Sequence, residues 1–312
     1  MKKNNVILSV VMITFGHEKY ISQAILSVLM QETDFDFELI ISNDCSPDNT
    51  DIVVNQIIEN HPKGNNIKYF SHKNNLGMMS NFIFALSQCN LKYIALCEGD
   101  DYWTDKSKLQ KQVNFLEKNE DYVVSWTDYL NLNDKKNVLT QNNFSKKLPE
   151  LYTINFDNIF NPYCTLTLTA VFKKSALDIE ELNKFNHSKD NTLYSLLLTN
   201  GLGIFMNFSS GVYRIHEGGI FSLKSSYYKK LNSYENINEI LKLIPESRTK
   251  NIANLKDNLF LDTAIEILIL KTSKQKIDKS QIEFLKRFLS QSHFSAKIKF
   301  AKAYLSLFLF KK

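Results

Sequence analysis

Two kinds of hydrophobic pattern alternate through the first half of this 312-residue chain. Short apolar runs rich in β-branched residues predict buried strands at Ile7–Thr14, Phe37–Ser42, Ile67–Phe70, Tyr93–Cys97 and Tyr122–Trp126. Between them, apolar residues three or four positions apart predict helices at Lys19–Met30, Asp51–Asn60, Met78–Ser87 and Lys108–Lys118. Strands that alternate with helices usually pair in parallel under a cover of helices. The sequence therefore predicts an α/β fold with a Rossmann-like, mostly parallel central sheet.

The second half of the chain follows a different pattern. Residues 131–150 are polar and rich in Asn and Lys, which indicates a loop. Strands are expected at 162–172 and Ile204–Tyr213, with a helix at 190–200 between them. From about Ser226 the pattern becomes helical and basic, so we expect a helical C-terminal extension over residues 223–312.

Composition limits the classes of function. A formal net charge of +5 is too small to indicate nucleic-acid binding, but it suits phosphate-bearing ligands or an anionic membrane surface. The four cysteines form no CxxC pair and no zinc-type spacing with histidine, so we expect free, buried thiols and a cytoplasmic protein. They are Cys45, Cys89, Cys97 and Cys164.

The apolar run near the N-terminus imitates a signal peptide. It extends from Val6 to Phe15 and follows two lysines. The residues after it, Gly16-His17-Glu18-Lys19, do not form a small-residue cleavage site. A buried first strand explains the run better. No stretch of the sequence approaches the roughly 18 apolar residues of a membrane span.

A cluster of carboxylates follows the strand predicted at Tyr93–Cys97. Glu98, Asp100 and Asp101 are three acids within four residues. Such a cluster is unfavourable unless a cation or a proton neutralises it. Oxygen ligands of this kind suit Mg²⁺ or Mn²⁺ bound together with substrate phosphates. The alternative is an acidic turn in which Asp100 or Asp101 caps the next helix.

Four more residues are candidates because of their positions. Asp44 follows a predicted strand and could accept hydrogen bonds from a base or ribose, although a structural role fits it equally well. Arg214 and His216 follow another strand, where an Arg can clamp phosphate and a His can bind metal. A lone His is more often structural. Asp190 begins a predicted helix, and its alternative role is that of an N-cap.

Several motifs in a fixed order resemble glycosyltransferase family 2. They are Val10–Phe15 with Glu18–Ile21, then SNDCSPDNT, Asn75-Leu76-Gly77 with Asn81, EGDDYW and KLQKQ. The resemblance covers about residues 6–128 and continues more weakly through KDNTLYSLLLTNGLG and VYRIHEGG, to about residue 222. Members of this family have the GT-A fold and invert the anomeric configuration. Many of them build bacterial capsules, lipopolysaccharide and other surface glycans.

The resemblance implies a role for each donor-site candidate. Thr14 and Phe15 would line the base pocket, and Asp44 would bond a uracil-like base. The remaining donor-binding candidates are Asn75, Asn81, Glu98, Asp100 and Arg214.

The resemblance also implies metal and catalytic residues. Asp100 and Asp101 would hold a metal ion and the ribose, with Asp101 the expected metal ligand. His216 would complete the metal or diphosphate site, and Asp190 would be the catalytic base. The metal would be Mn²⁺ or Mg²⁺.

These observations predict a metal-dependent, inverting transfer of a sugar from a nucleoside-diphosphate sugar, such as a UDP-sugar, to a glycan or lipid-linked acceptor. We expect a GT-A domain at 1–222, with a nucleotide-sugar half at 1–128 and an acceptor half at 129–222. A nucleotidyltransferase would have a Gly-rich, basic phosphate loop after the first strand, which TFGHEKY lacks. A catalytically silent carbohydrate-binding protein would have lost its acid cluster, and EGDD is intact.

The C-terminal segment 294–312 has a composition of its own. It contains five lysines and no acid, with an aromatic-rich stretch between the lysines. It is too short to span a bilayer. A basic amphipathic segment can lie at an anionic membrane surface, which would place the protein at the inner face of the cell membrane. The alternative is that Leu305–Phe310 packs back on the helical region.

Overall fold

The computed structural model describes residues 6–142, 145–161, 163–218, 224–273 and 275–309, with side chains as far as residue 307. The chain forms two compact units, Met1–Gly219 and Ile220–Lys312. The first is an α/β unit and the second is helical.

One sheet organises the first unit. Its strands are β1 (Val6–Thr14), β2 (Asp36–Asn43), β3 (Ile67–Ser71), β4 (Tyr93–Leu96), β5 (Tyr102–Trp103), β6 (Tyr122–Asn133), β7 (Val138–Gln141), β8 (Leu151–Ile154), β9 (Val171–Lys173) and β10 (Leu202–Ile215). The order across the sheet is β3-β2-β1-β4-β9-β6-β10-β5, with β7 beside β6 and β8 beside β10. The pairings β3-β2, β2-β1, β1-β4 and β6-β10 are parallel, whereas β9 runs antiparallel to both of its neighbours. The sheet is therefore mostly parallel, as predicted, with antiparallel strands in its second half.

Helices pack around this sheet. They are α1 (Ile21–Leu29), α2 (Thr50–Asn60), α3 (Met78–Ser87), α4 (Lys108–Lys118), α5 (Ile179–Leu182) and α6 (Asp190–Leu198). The strands and helices predicted from the alternating pattern are all confirmed, and the N-terminal apolar run forms the buried strand β1. In α1 the apolar face of Ile21, Ile25 and Val28 is completely buried against the sheet core.

Two predictions from the middle of the chain are wrong. The segment expected to be a loop, 131–150, contains the end of β6 and the hairpin strand β7. Asn137, with φ of 48°, lies in the left-handed region that a tight turn requires. All four residues of β7 are exposed, and its two apolar residues, Val138 and Leu139, are adjacent, so the strand shows neither the alternating pattern nor the buried apolar run on which the prediction depended.

The strand expected at 162–172 is shorter than predicted. Residues Thr167–Thr169 form a 3₁₀ turn, and only Val171–Lys173 pairs as β9. The Thr169 hydroxyl donates to the carbonyl of Leu166 at 2.7 Å. A side-chain bond of this kind competes with the ladder hydrogen bonds of a strand.

The second unit contains α7 (Ser226–Leu243), α8 (Lys250–Thr272), α9 (Lys279–Gln291) and α10 (Phe294–Leu309). The first three begin after side chains that accept from a backbone N–H, namely Ser225, Thr249 and Asp278. Their core is aromatic, with Tyr234 stacked on Phe260 at a centroid distance of 4.7 Å. Within the described residues, no helix has the length and apolar character needed to cross a membrane.

A completely buried lysine should give the protein an unusual pH dependence. Lys108 donates to Gln112 Oε1 at 2.8 Å, and burial lowers its pKa to about 7. The unfolded chain keeps this proton to higher pH, so Lys108 should contribute a rise of about 1.5 kcal/mol in the free energy of unfolding between about pH 7 and pH 8.5. Urea denaturation at several pH values measures this rise as the difference in pH dependence between wild type and Lys108→Met, because the variant has no proton to release.

The control lies on the same helix. Lys111 is exposed and bonded to Asp105 at 2.6 Å, so Lys111→Met should keep the rise of the wild-type protein. An identical pH dependence in wild type and Lys108→Met would show that Lys108 stays protonated in the fold.

Candidate functional site

The acid cluster lies where the carboxyl ends of β1 and β4 meet. The Gly99 N–H donates to the carbonyl of Ile13 at 3.0 Å, which extends the pairing of the two strands into the turn. A Cβ at Gly99 would lie 2.8 Å from Thr14 Oγ1 and 3.0 Å from Ile21 Cδ1. Only glycine permits this approach. The close packing holds the carboxylates on either side of Gly99 at the edge of the sheet.

Strand β10 brings a second set of side chains to the same place. It pairs with β5, with Val212 opposite Tyr102, so the residues after Val212 run beside the acid turn. His216 Nε2 lies 3.0 Å from Asp100 Oδ2. Asp100 and His216 were both predicted from the sequence to belong to the metal site, and in the structure they are in contact.

His17, in the loop after β1, belongs to the same cluster. Its Nε2 lies 3.7 Å from Asp100 Oδ2. The ligand atoms of His17, Asp100 and His216 all lie within 4.8 Å of one another, close enough to hold a metal ion together. Sequence reasoning missed His17, although it follows a parallel strand like the other candidates.

The electrostatics of this cluster suit a bound cation. Burial tends to raise the pKa of Asp100, but the hydrogen bond with His216 and the charges of His17 and His216 outweigh it, so its pKa is lowered. Burial lowers the pKa of His17. The lowered pKa keeps Asp100 ionised, and burial makes the His17 imidazole easier to deprotonate, as binding of a metal ion requires.

Asp101 has a different environment from Asp100. Its Oδ1 accepts the backbone N–H of Arg214 at 2.8 Å, and the side chain is buried. Burial, with the charges of Asp100 and Glu98, raises its pKa well above the usual value. Asp101 is outside the cluster of possible metal ligands. The prediction that Asp101 is the metal ligand stays a prediction, and the geometry favours Asp100.

Arg214 is buried and already bonded within the protein. Its guanidinium donates to the Asp100 carbonyl at 2.9 Å, Asp134 Oδ1 at 3.3 Å and Gln23 Oε1 at 2.6 Å. It also lies 4.7 Å and 5.3 Å from the ring centroids of Tyr20 and Tyr102. Its role as a phosphate clamp stays a prediction, and these contacts favour a role in holding the turn that carries Asp100.

Asp44, at the end of β2, organises the loop that precedes α3. Its carboxylate accepts the backbone N–H groups of Leu76 at 2.6 Å and Gly77 at 3.0 Å. The Asn75 amide donates to the Asp44 carbonyl at 3.1 Å. Asp44 and Asn75 therefore lie together, as a shared base or ribose site would require.

The other donor-site candidates differ in exposure. Thr14 is buried, with its hydroxyl 3.2 Å from His17 Nδ1, whereas Phe15 is 40% exposed at the end of β1. Asn81 is buried and ties α3 to β2 through two hydrogen bonds with Ser42. The Phe15 ring is therefore accessible to a ligand, whereas the Asn81 side chain is hydrogen-bonded within the protein.

Glu98 is an acid-cluster residue that has an oxygen shielded from solvent. Its Oε2 is shielded from solvent and has no hydrogen-bond partner among the described residues. Burial, and then the charges of Asp100 and Asp190, raise its pKa to about 8. Asp190 is therefore near enough to influence a carboxyl group in the turn after β4.

Asp190 is the first residue of α6, and Lys189 before it is the N-cap. Its Oδ2 accepts the Tyr163 hydroxyl at 2.9 Å, and its Oδ1 accepts the N–H of Asn191 at 3.0 Å. Burial raises its pKa, which makes the carboxylate a better base than an ordinary Asp. Sequence reasoning missed Tyr163, which lies far from Asp190 along the chain.

A family comparison agrees with this arrangement. The model described as Glycosyl transferase family 2 matches residues 9–179, more than half of the chain. The chain belongs to this family. The match includes the acid cluster and His17 but ends before Asp190, Arg214 and His216, so the roles predicted for these three lie outside the family match.

Curated relatives of this chain match only part of it and only part of their own length. An uncharacterised protein of Mycobacterium tuberculosis is 37% identical over 117 residues, which are 38% of this chain and 33% of that protein. The minor teichoic acid biosynthesis protein GgaB of Bacillus subtilis is 29% identical over 123 residues, or 39% of this chain and 13% of that protein. The chain thus spans about a third or less of these relatives.

Solved structures extend the likeness to both units. S. aureus TarS 1–349, in complex with UDP-GlcNAc, has a TM-score of 0.67 and 18% identity, over 97% of this chain and 90% of that chain. The mannosyltransferase PcManGT of Pyrobaculum calidifontis, in complex with GDP-Man and Mn²⁺, has a TM-score of 0.57 and 11% identity, over 99% and 88%. These likenesses show the fold and confirm the predicted GT-A architecture with a helical C-terminal region.

Proposed function

We propose that this protein is a metal-dependent, inverting glycosyltransferase. It would move a sugar from a nucleoside-diphosphate sugar, such as a UDP-sugar, to a glycan or lipid-linked acceptor in surface polysaccharide synthesis. The observation that carries the proposal is the pairing of Asp100 with His216 at the carboxyl edge of the sheet, with Asp190 held by Tyr163 in the same unit. Ligands of open α/β sheets bind at this edge.

The nucleotide would lie between the ends of β1 and β2. Phe15 offers an exposed ring for stacking, and Asp44 and Asn75 would contact the base or ribose. TarS is in complex with UDP-GlcNAc and PcManGT with GDP-Man, so the fold accommodates more than one nucleotide. Glu98 would contact the donor sugar, and its Oε2 has no hydrogen-bond partner within the described part of the chain.

The donor set near Asp100 fits a divalent cation. Asp100 and His216 provide a carboxylate oxygen and an imidazole nitrogen, and both occur among protein ligands of Mn²⁺. A bound cation would neutralise charge on the departing diphosphate. Arg214 would keep Asp100 in place through its carbonyl.

Asp190 would activate the acceptor. The acceptor hydroxyl oxygen bonds to the anomeric carbon while the bond from that carbon to the diphosphate oxygen breaks. The hydroxyl proton passes to the Asp190 carboxylate, and the electron pair of the broken bond leaves with the diphosphate. A single displacement of this kind inverts the anomeric centre. The Tyr163 hydroxyl holds one oxygen of the base in position.

A panel of nucleotide sugars tests this function. UDP-, GDP- and dTDP-sugars are incubated with the protein, with and without Mn²⁺, and the release of nucleoside diphosphate is measured. Metal-dependent release from one donor supports the proposal. Release of inorganic diphosphate from a nucleoside triphosphate and a sugar phosphate would indicate a nucleotidyltransferase instead. Binding of a donor without turnover on any acceptor glycan would indicate a silent carbohydrate-binding protein.

The C-terminal helix supports a contact with the membrane. Ala296 and Phe300 of α10 pack on the aromatic core of the second unit. In the segment Leu305–Phe310, for which core packing was the alternative, Leu305 is 56% exposed, and the side chains of residues 308–310 lie outside the described residues. Phe294, Ile298 and Leu305 remain exposed, the first by 78%, and their spacing puts them on one helical face. A helix with an exposed apolar face beside lysines can lie in the headgroup region of an anionic bilayer.

Vesicle sedimentation tests this contact. Replacing Phe294, Ile298 and Leu305 by Ser should lower binding to anionic vesicles at low salt at least about tenfold, because each side chain contributes apolar burial. The control replaces two exposed apolar residues of α9, Ile282 and Leu289, by Ser, and should bind as wild type. A chain ending at Ser292 that sediments as well as the full chain would contradict the proposal.

A further inference from the structure

We propose that His17 is a metal ligand and that, with His216, it makes the site select transition-metal ions such as Mn²⁺ over Mg²⁺. The inference rests on the proposed function only in taking the ion at Asp100 to be the one that assists the donor. The cluster of His17, Asp100 and His216 is formed from three separate parts of the chain, after β1, β4 and β10.

The orientation of the His17 ring suits a ligand. Its Nδ1 lies 3.2 Å from the Thr14 hydroxyl, and its Nε2 faces Asp100 Oδ2 at 3.7 Å. The Thr14 oxygen can accept a hydrogen bond from Nδ1–H, which leaves the Nε2 lone pair directed toward the carboxylate. A hydrogen bond that fixes the tautomer of a metal-binding His is the usual arrangement in metal sites.

His216 needs a small adjustment before it can bind a metal. The Gly218 N–H donates to its Nδ1 at 3.2 Å, which favours a proton on the Nε2 that faces Asp100. Binding through Nε2 moves the proton to Nδ1 and turns the Gly218 N–H away. His17 requires no such change, so its imidazole is already arranged for binding.

Packing holds both rings while leaving one side of the cluster open. The Tyr20 ring lies 4.7 Å from the His216 centroid and 6.5 Å from that of His17. The His17 and Asp100 side chains are 15% and 22% exposed. Protein groups therefore support the cluster from one side, and the exposed side leaves coordination positions for water or diphosphate oxygens.

The donor atoms determine which ion is preferred. Mg²⁺ binds oxygen ligands and keeps most of its water, so imidazole nitrogens favour it little. First-row transition-metal ions accept imidazole ligands more readily than Mg²⁺ does, and Mn²⁺ has the lowest affinity for such sites within that series while also accepting carboxylates. One carboxylate with two imidazoles should therefore bind Mn²⁺ in preference to Mg²⁺, and the loss of one imidazole should reduce that preference.

Calorimetry with the metal ions alone tests the inference on the full chain. Wild type should bind Mn²⁺ at least about tenfold more tightly than Mg²⁺. His17→Gln should lower Mn²⁺ affinity about tenfold or more and change Mg²⁺ affinity less than about threefold. The electron paramagnetic resonance spectrum of bound Mn²⁺ should change as well. His61→Gln, at a histidine outside the cluster, should match wild type.

A second variant tests the inference even if His17→Gln does not fold. His17→Glu puts an oxygen ligand in place of the nitrogen, so the ratio of Mn²⁺ to Mg²⁺ affinity should fall while metal binding persists. Unchanged affinities in a folded His17→Gln protein would overturn the inference, as would a wild type with no preference for Mn²⁺. Because the probes are metal ions without donor, failure of sugar transfer in the wild type would overturn only the proposed function.

Discussion

Turnover should fall by about two to four orders of magnitude when Asp190 is replaced by Asn, whereas donor affinity should change less than about twofold. The amide has the shape of the carboxylate and can still accept the Tyr163 hydroxyl, but it cannot take a proton from the acceptor. Initial rates at saturating donor and acceptor measure turnover, and calorimetry with the donor alone measures affinity. The two readouts separate a catalytic base from a residue that binds the donor.

Stability provides the third readout for this variant. Asp190 follows the N-cap Lys189 and is not itself the cap, so Asp190→Asn should cost less than about 1 kcal/mol of unfolding free energy. The control is the same substitution at the start of another helix, Asp178→Asn. Asp178 is the N-cap of α5 and accepts the Glu181 N–H at 2.9 Å. That control should leave turnover unchanged. Near-normal turnover in Asp190→Asn would remove Asp190 from the mechanism.

The sequence predicts the elements that bury apolar side chains and misses those that do not. Strands β1, β2 and β4 were predictable because their apolar runs are buried in the sheet. Strand β7 was not, because all of its side chains are exposed. The turn before β9 depends on a hydroxyl bond from Thr169, which no hydrophobic pattern records.

In the candidate site, too, the sequence predicts only part of the arrangement. The acid cluster is local in sequence, so its crowding alone indicated a cation. His17 and His216 meet at Asp100 only because β1, β4 and β10 end at one edge of the sheet. Tyr163 reaches Asp190 across 27 residues of chain for the same kind of reason. A single sequence names such residues one at a time and does not show which of them meet.

Arg214 shows how a plausible role can change when the partners are known. An Arg after a strand suggested a phosphate clamp. Its guanidinium instead bonds groups from the turn after β4, from α1 and from the segment after β6, namely Asp100, Gln23 and Asp134. Each of these contacts is distant in sequence. The structure therefore favours Arg214 as the residue that positions Asp100.

Asp100→Asn should lower Mn²⁺-dependent donor affinity at least about 100-fold, and turnover should fall by about as much or more. Asp100 lies within reach of both imidazoles and has a lowered pKa, so it carries the negative charge that a cation needs. The neutral amide removes that charge and keeps the shape. Donor binding by calorimetry, with Mn²⁺ and with chelator, measures the effect. Binding with chelator should be the same in variant and wild type.

The neighbouring carboxylate is the matched comparison, because the sequence favoured Asp101 as the ligand. Asp101 accepts the Arg214 N–H at 2.8 Å, and an Asn side chain can accept the same bond. Its pKa is raised by burial, so a neutral amide is at least as well tolerated there as an ionised acid. Asp101→Asn should therefore keep Mn²⁺-dependent donor affinity within about threefold. The reverse result, loss in Asp101→Asn and retention in Asp100→Asn, would return the metal to Asp101.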